Sequence, residues 1–128
     1  MTEVDDEEFF PIIIDDDDIL YHGTSSLLGG LIEELGEICV PSSTGIETTH
    51  GADSVFSDRI YLTTNKEEAT KWAQDRAKVD KSDPVIFKIT GKDINNRRCK
   101  AFIDALSFTH PISSIVLKDC SCIKAVNV

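Results

Sequence analysis

A short apolar run that ends in polar residues is the part of the sequence best suited to bind a ligand. Residues 19–21 are Ile, Leu and Tyr, and His22, Gly23 and Thr24 follow them. A run of this length, bounded by turn-type residues, is typical of a buried strand. An imidazole at the end of a strand can hydrogen-bond a ligand, and a glycine lets the backbone approach it. The alternative is a histidine that caps its own turn.

A second segment carries two aromatic side chains, one on a predicted strand and one on the helix predicted to follow it. Residues 60–62 (Ile-Tyr-Leu) predict a strand that contains Tyr61. Asn65 is suited to begin the next helix, and Glu68 stands three residues later, as in a capping box. Trp72 lies on that helix. An aromatic ring can stack on a planar ligand, although strand tyrosines and helix tryptophans more often pack in a core.

These two segments together resemble the ADP-ribosyltransferase superfamily, which includes the rifampin ADP-ribosyltransferases and the catalytic domains of the poly(ADP-ribose) polymerases. The resemblance depends on Leu-Tyr-His-Gly-Thr at residues 20–24 and on Tyr-Leu-Thr at residues 61–63, and it covers residues 19–128. It implies a mono-ADP-ribosyltransferase that uses NAD as co-substrate and releases nicotinamide. The acceptor would be a macromolecule or a small molecule, and we expect a protein.

The reaction that the resemblance implies breaks the bond between nicotinamide and its ribose. The site must therefore hold NAD bent and stabilise a ribose with oxocarbenium character. By resemblance, His22 and Tyr61 are catalytic residues that position NAD, and the backbone of Gly23 grips the carboxamide. Thr24 belongs to the same cofactor-binding group. Trp72, eleven positions after Tyr61, would stack on the other face of nicotinamide.

The third catalytic residue departs from the pattern of the family. In the polymerases it is a glutamate, and their last motif aligns without gaps to residues 114–119, which places Ser114 at that position. A serine can hydrogen-bond a ribose hydroxyl, but it carries no negative charge. The chain could be a transferase that tolerates Ser114, one that uses Asp93, Asp104 or Asp119 instead, or an inactive module that binds NAD or a similar molecule.

Two rival functions stay open at this point. RNA 2′-phosphotransferases share the His-Gly-Thr strand, but they hold phosphate with arginines, and Arg59 is the only arginine near a motif here. The second rival is a protein-interaction module that keeps the fold and has lost the chemistry. Such a module would grip its partner with the acidic N-terminal residues or with residues 41–58, and the missing glutamate favours it.

The charge of the chain is concentrated at its N-terminus. The 128 residues carry a formal net charge of −10, and residues 1–18 hold nine acidic side chains and no basic one. Residues 19–128 hold 14 acids and 13 bases, so no basic face indicates direct DNA binding. We predict an acidic N-terminal arm over residues 1–18, either mobile or docked as an edge segment, and one ADP-ribosyltransferase-like domain over residues 19–128.

Four cysteines stand at positions 39, 99, 120 and 122. The acidic N-terminus resembles neither a secretory signal nor a transit peptide, and no apolar run is long enough to span a membrane. We therefore expect a cytoplasmic location, or the host cytoplasm if the chain is viral or an effector. We also expect reduced, partly buried thiols and no metal, because the cysteine spacing does not fit a zinc site.

The remaining pattern predicts an α+β fold with two main helices. Residues 26–35 carry Leu and Ile at helical spacing, and Gly36 is suited to end that helix. Strands are expected at residues 84–89 and in two closing segments near the C-terminus, which favours a mostly antiparallel sheet. The resemblance implies that this sheet is split. Residues 41–58 predict a long loop that is a candidate for contact with the acceptor.

Overall fold

Three segments of the chain, residues 9–39, 60–104 and 114–128, are described by the computed structural model of the protein. Within them the chain forms nine strands and three helices. The strands are β1 (Phe9–Ile12), β2 (Ile19–Ser25), β3 (Glu37–Cys39), β4 (Ile60–Thr63), β5 (Pro84–Thr90), β6 (Lys100–Asp104), β7 (Ser114–Lys118), β8 (Cys122–Lys124) and β9 (Val126–Asn127). The helices are α1 (Ser26–Leu35), α2 (Lys66–Asp80) and α3 (Gly91–Asn96). The loop predicted for residues 41–58 lies outside the described residues.

Seven strands form one antiparallel sheet in the order β1-β6-β7-β4-β2-β5-β9, and β3 pairs with β8 in a second, two-stranded sheet. The prediction of an α+β fold with a mostly antiparallel sheet and two main helices is confirmed. The sequence pattern predicts Gly91 only as the end of a strand, whereas the structure begins the short helix α3 there. The Thr90 side chain caps that helix by accepting from the backbone N–H of Asp93 at 3.3 Å.

Local sequence signals mark both ends of α1 and the start of α2. The Ser25 hydroxyl caps α1 by accepting from the N–H of Leu28 at 3.3 Å, and Gly36 ends the helix with a φ of 72°. The Asn65 side chain caps α2 by accepting from the N–H of Glu67 at 2.9 Å. None of the helices in the described part of the chain is long and apolar enough to cross a membrane.

The hydrophobic core lies on one face of the large sheet, and α2 covers the other face. On the core side, side chains from α1, α3 and the small sheet meet the strands of the large sheet. The largest fully buried members of this core are Leu20, Ile32, Ile38, Ile60, Leu62, Phe87, Ile89, Ile94, Leu117 and Ile123. Because side chains alternate along β2, Gly23 points away from the face of Leu20, toward α2. Three small residues of α2, Ala69, Ala73 and Ala77, are buried there.

The second half of the acidic N-terminal arm is docked on the sheet. β1 pairs along its whole length with β6. The Asn95 side-chain amide donates to the carbonyl of Ile14 at 2.8 Å, and the N–H of Gly91 donates to the carbonyl of Asp18 at 2.7 Å. Of the two alternatives for the arm, residues 9–18 therefore form the docked edge segment.

The cysteines correct a prediction made from the sequence. They are joined as two disulfides, Cys39–Cys122 and Cys99–Cys120, and no cysteine in the described residues is free. The expectation of reduced thiols is therefore wrong. The reason is tertiary, since the antiparallel pairing of β3 with β8 places Cys39 directly opposite Cys122. Disulfides persist mainly in oxidising surroundings, so a cytoplasmic location gains no support and stays a prediction.

Candidate active site

The end of β2 carries an unusual concentration of buried polar side chains. His22 is 3% exposed, and Thr24 and Ser25 are fully buried. On the neighbouring strand β4, Thr63 is also fully buried. Buried polar groups usually have hydrogen-bond partners, and the Thr63 hydroxyl accepts from the N–H of Asn65 at 3.0 Å.

Pairing within the large sheet is interrupted between β2 and β4. Every residue of β2 pairs with β5, and every residue of β4 pairs with β7. Between β2 and β4, by contrast, the register contains the single pair Tyr21 and Thr63. Ladder pairing between the two strands therefore stops at this pair. We call the unpaired stretch beyond it, which carries His22 on β2 and Tyr61 on β4, the opening.

His22 bridges the opening through its ring. Its Nδ1 lies 2.9 Å from the backbone carbonyl oxygen of Tyr61. Because a carbonyl oxygen only accepts hydrogen bonds, Nδ1 is the donor and carries a proton. The bond fixes the orientation of the imidazole relative to the backbone of β4. The structure thus brings together the two residues that the sequence predicts as catalytic.

Gly23 is required by the packing of α2 on β2. A Cβ atom at this position would lie 1.8 Å from the carbonyl oxygen of Ala69 and 3.0 Å from the backbone nitrogen of Ala73. The missing side chain therefore lets the helix backbone approach the strand. The sequence predicts Gly23 as a residue whose backbone meets a ligand, and the structure adds a packing role that explains the glycine by itself.

The aromatic residues lie on the two elements that border Gly23. Tyr61 is half-buried on β4, opposite Val116 of β7. Trp72 is half-buried on α2, one residue before Ala73, and its Nε1 donates to the Glu68 carboxylate at 3.1 Å. Both rings are thus placed on elements that meet at β2, and each remains partly accessible.

Thr24 and Ser114 are the other two positions that the sequence predicts for the site. Thr24 is fully buried, and its hydroxyl has no hydrogen-bond partner among the described residues. The backbone of Ser114 pairs with Thr63, two register positions along β7 from Val116, which faces Tyr61. The three strands that carry the predicted site residues, β2, β4 and β7, are therefore consecutive in the sheet.

Two of the three alternative acids, Asp93 and Asp119, are engaged away from the opening. The Asp93 carboxylate pairs with Arg97 at 3.0 Å and accepts from the N–H of Lys124 at 2.9 Å. Asp93 lies on α3, which follows the end of β5 that pairs with Ile19. Asp119 is exposed in the bend after β7 and pairs with a lysine. The backbone of Asp104 ends β6, opposite the first residue of β1. Neither Asp93 nor Asp119 is brought to the opening between β2 and β4.

A polar network that the sequence did not predict ties the end of β2 to α2. The Ser25 hydroxyl donates to the Asp80 carboxylate, and Arg76 Nε donates to the same carboxylate at 3.0 Å. The Ser25 hydrogen bond, together with the charge and hydrogen bond of Arg76, lowers the pKa of Asp80 against the opposing effect of burial. The four-residue spacing of Arg76 and Asp80 is a helix-pair signal. Ser25 is a residue type suited to cap a helix, but no local pattern in the sequence indicates its contact with Asp80.

One further group of ligand-type atoms lies away from the opening. Glu37, Cys39 and Cys122 hold their ligand atoms within 4.8 Å of one another. The two sulfur atoms are bonded to each other, and Glu37 pairs with Arg97 at 2.7 Å, so these groups are not available as a metal site. Comparison of the chain with protein-family models, with curated proteins and with solved structures gave no match.

Proposed function

We propose that the protein is an NAD-dependent mono-ADP-ribosyltransferase. The observation that carries the proposal is the opening between β2 and β4, bridged by the hydrogen bond from His22 Nδ1 to the carbonyl of Tyr61. This opening is bordered by Gly23 on one strand, by Tyr61 on the other, and by the helix that carries Trp72. These are the residues that the family resemblance assigns to NAD.

In this proposal nicotinamide lies between the Tyr61 and Trp72 rings, with its carboxamide against the backbone at Gly23. The bond between nicotinamide and the ribose C1′ breaks, and its electron pair stays on the nicotinamide nitrogen. The positively charged ribose is then attacked by a nucleophile of the acceptor, which loses its proton. His22 orients the bound dinucleotide, and Ser114 orients a ribose hydroxyl without supplying an anion. A site without that anion fits single transfers to an acceptor protein.

The test combines binding and turnover. The melting temperature of the protein is measured with and without NAD, and nicotinamide release is then followed over hours. We expect NAD to raise the melting temperature, and we expect release that is lost in Tyr61→Ala and Trp72→Ala. Tyr61→Phe and Trp72→Phe keep an aromatic ring and serve as matched controls, so they should retain most of the release. His22→Ala should also abolish release, with circular dichroism to show that it folds.

Each other outcome separates the rival functions. Absence of both a thermal shift and nicotinamide release would refute NAD binding and favour the interaction module. A thermal shift without release would indicate a pocket kept for binding, and Ser114→Glu is then the informative variant because it restores the acid at the position of the family glutamate. Release that depends on the aromatic rings supports the transferase.

A further inference from the structure

A stripe of partly or largely buried side chains runs along one flank of α2, beside its buried alanines. Its members, Trp72, Arg76 and Asp80, are spaced by four residues, which is close to one helical turn. They therefore lie one above another on the same side of the helix. The stripe begins at an aromatic residue of the proposed nicotinamide site and continues into the Ser25–Asp80–Arg76 network.

The chain topology decides which strand this stripe borders. β4 and β5 are both antiparallel to β2, so they are parallel to each other, and α2 connects them. Such crossover connections are right-handed. Trp72 and Arg76 stand one residue before and three residues after Ala73, so they lie on the same flank of the helix. In a right-handed crossover with Ala73 facing β2, this flank is the one toward β4. The stripe therefore lies beside β4 on the same face of the sheet as Tyr61, whereas the His22 side chain, opposite Phe87 of β5, projects from the core face.

The guanidinium of Arg76 makes its contact with Asp80 through Nε. Its Nε donates to Asp80 at 3.0 Å, and the Asp80 side chain is 7% exposed and held in turn by Ser25. The Arg76 side chain is 25% exposed, and within the described part of the chain its only hydrogen-bonding and ionic partner is Asp80. The two terminal nitrogens of the guanidinium are therefore left for another acceptor. A guanidinium fixed from one side in this way is suited to bidentate contact with a phosphate.

The spacing along the helix matches the order of groups in a dinucleotide. Four residues separate Trp72 from Arg76, which is about 6 Å along the helix axis. In NAD, a ribose of comparable length separates nicotinamide from the pyrophosphate. We propose that Arg76, positioned by Asp80 and Ser25, binds the pyrophosphate of the dinucleotide. This inference rests on the proposed function and assigns a residue outside the sequence motifs to the phosphate.

The experiment measures dissociation constants of the full chain for NAD, ADP-ribose and nicotinamide by calorimetry. Arg76→Ala should weaken binding of NAD and ADP-ribose by roughly 10- to 100-fold, as expected for loss of a charged hydrogen bond, and should leave nicotinamide affinity unchanged. Arg76→Gln keeps a donor for Asp80 without the positive charge and should show the same selective loss. Lys71→Ala removes one positive charge from the exposed side of the same helix and is the matched control, expected to bind all three ligands normally.

The inference is overturned if Arg76→Gln binds NAD as tightly as the unsubstituted protein. It is also overturned if both Arg76 variants lose nicotinamide and NAD to the same degree, because that pattern indicates a purely structural role. An equal loss in Lys71→Ala would indicate a general charge effect and would overturn it as well. If the unsubstituted protein binds neither NAD nor nicotinamide, the proposed function fails together with this inference, whereas normal NAD binding by the variants removes the role of Arg76 alone.

Discussion

Replacing Gly23 with alanine tests the contact between α2 and β2 that forms one wall of the proposed site. The new Cβ would lie 1.8 Å from the Ala69 carbonyl oxygen and 2.8 Å from its carbonyl carbon. Both atoms belong to the helix backbone, so no side chain can rotate away to make room. The helix must instead move away from the strand by well over 1 Å, which breaks the packing of a dense interior.

The size of the effect follows from this geometry. Overpacking of a core costs about 1–3 kcal/mol, and a backbone collision belongs at the upper end, near 3 kcal/mol. For a domain of this size, 1 kcal/mol corresponds to roughly 4 °C in melting temperature. We therefore expect Gly23→Ala to melt about 12 °C below the unsubstituted protein, with a matching fall in the urea midpoint.

Gly30→Ala is the matched control. Gly30 lies inside α1 and is exposed, and a Cβ atom added there would meet no other atom within 4 Å. Alanine favours a helix over glycine by about 0.5–1 kcal/mol, so this variant should melt roughly 2–4 °C higher. If Gly23→Ala melts at the same temperature as the unsubstituted protein, α2 does not lie on Gly23, and the wall of the proposed site is placed wrongly.

Three other perturbations test separate features. The pKa of Asp80 is lowered in the folded state, so the ionised carboxylate stabilises the fold at pH values above its ordinary pKa of 3.8. This stabilisation is lost as the pH falls through the lowered pKa. Between neutral pH and a pH below 3.8, the urea midpoint of Asp80→Asn should therefore fall less than that of the unsubstituted protein. Asn65→Ala removes the cap of α2 and should lower the unfolding free energy by about 1 kcal/mol, and an unchanged urea midpoint would contradict the cap. The Cys39–Cys122 disulfide spans 83 positions, so its loss in a Cys39→Ser, Cys122→Ser double variant should cost about 4.5 kcal/mol by chain entropy. Free-thiol titration of the unreduced protein that finds four thiols would refute the pairing.

Local signals in the sequence predicted the helices and strands well because those signals act over a few residues. Ser25 and Gly36 bound α1 through hydrogen bonds and backbone geometry that the residue types themselves favour. The same holds for Asn65 at the start of α2. The sequence did not predict the order of the strands, and the structure shows that the strands with His22 and Tyr61 are neighbours.

The features that the sequence could not predict all depend on residues far apart in the chain. The partner of Ser25 is Asp80, 55 positions away, and no local pattern connects them. The pairing of Cys39 with Cys122 follows from the register of two three-residue strands that have little signal of their own. Gly23 was recognised for its position, but its collision partner on α2 becomes visible only when the helix is docked.

The docking of β1 has a consequence for the behaviour of the chain in solution. β1 occupies the outer edge of β6, and Pro11 within it has no N–H to offer to a further strand. An uncovered β6 would present a row of unpaired backbone groups, which is a template for pairing between molecules. The N-terminal segment thus limits self-association of the sheet. A protein shortened to begin at residue 19 would keep every residue of the proposed site and lose this protection, so poor solubility of such a fragment would reflect an open sheet edge.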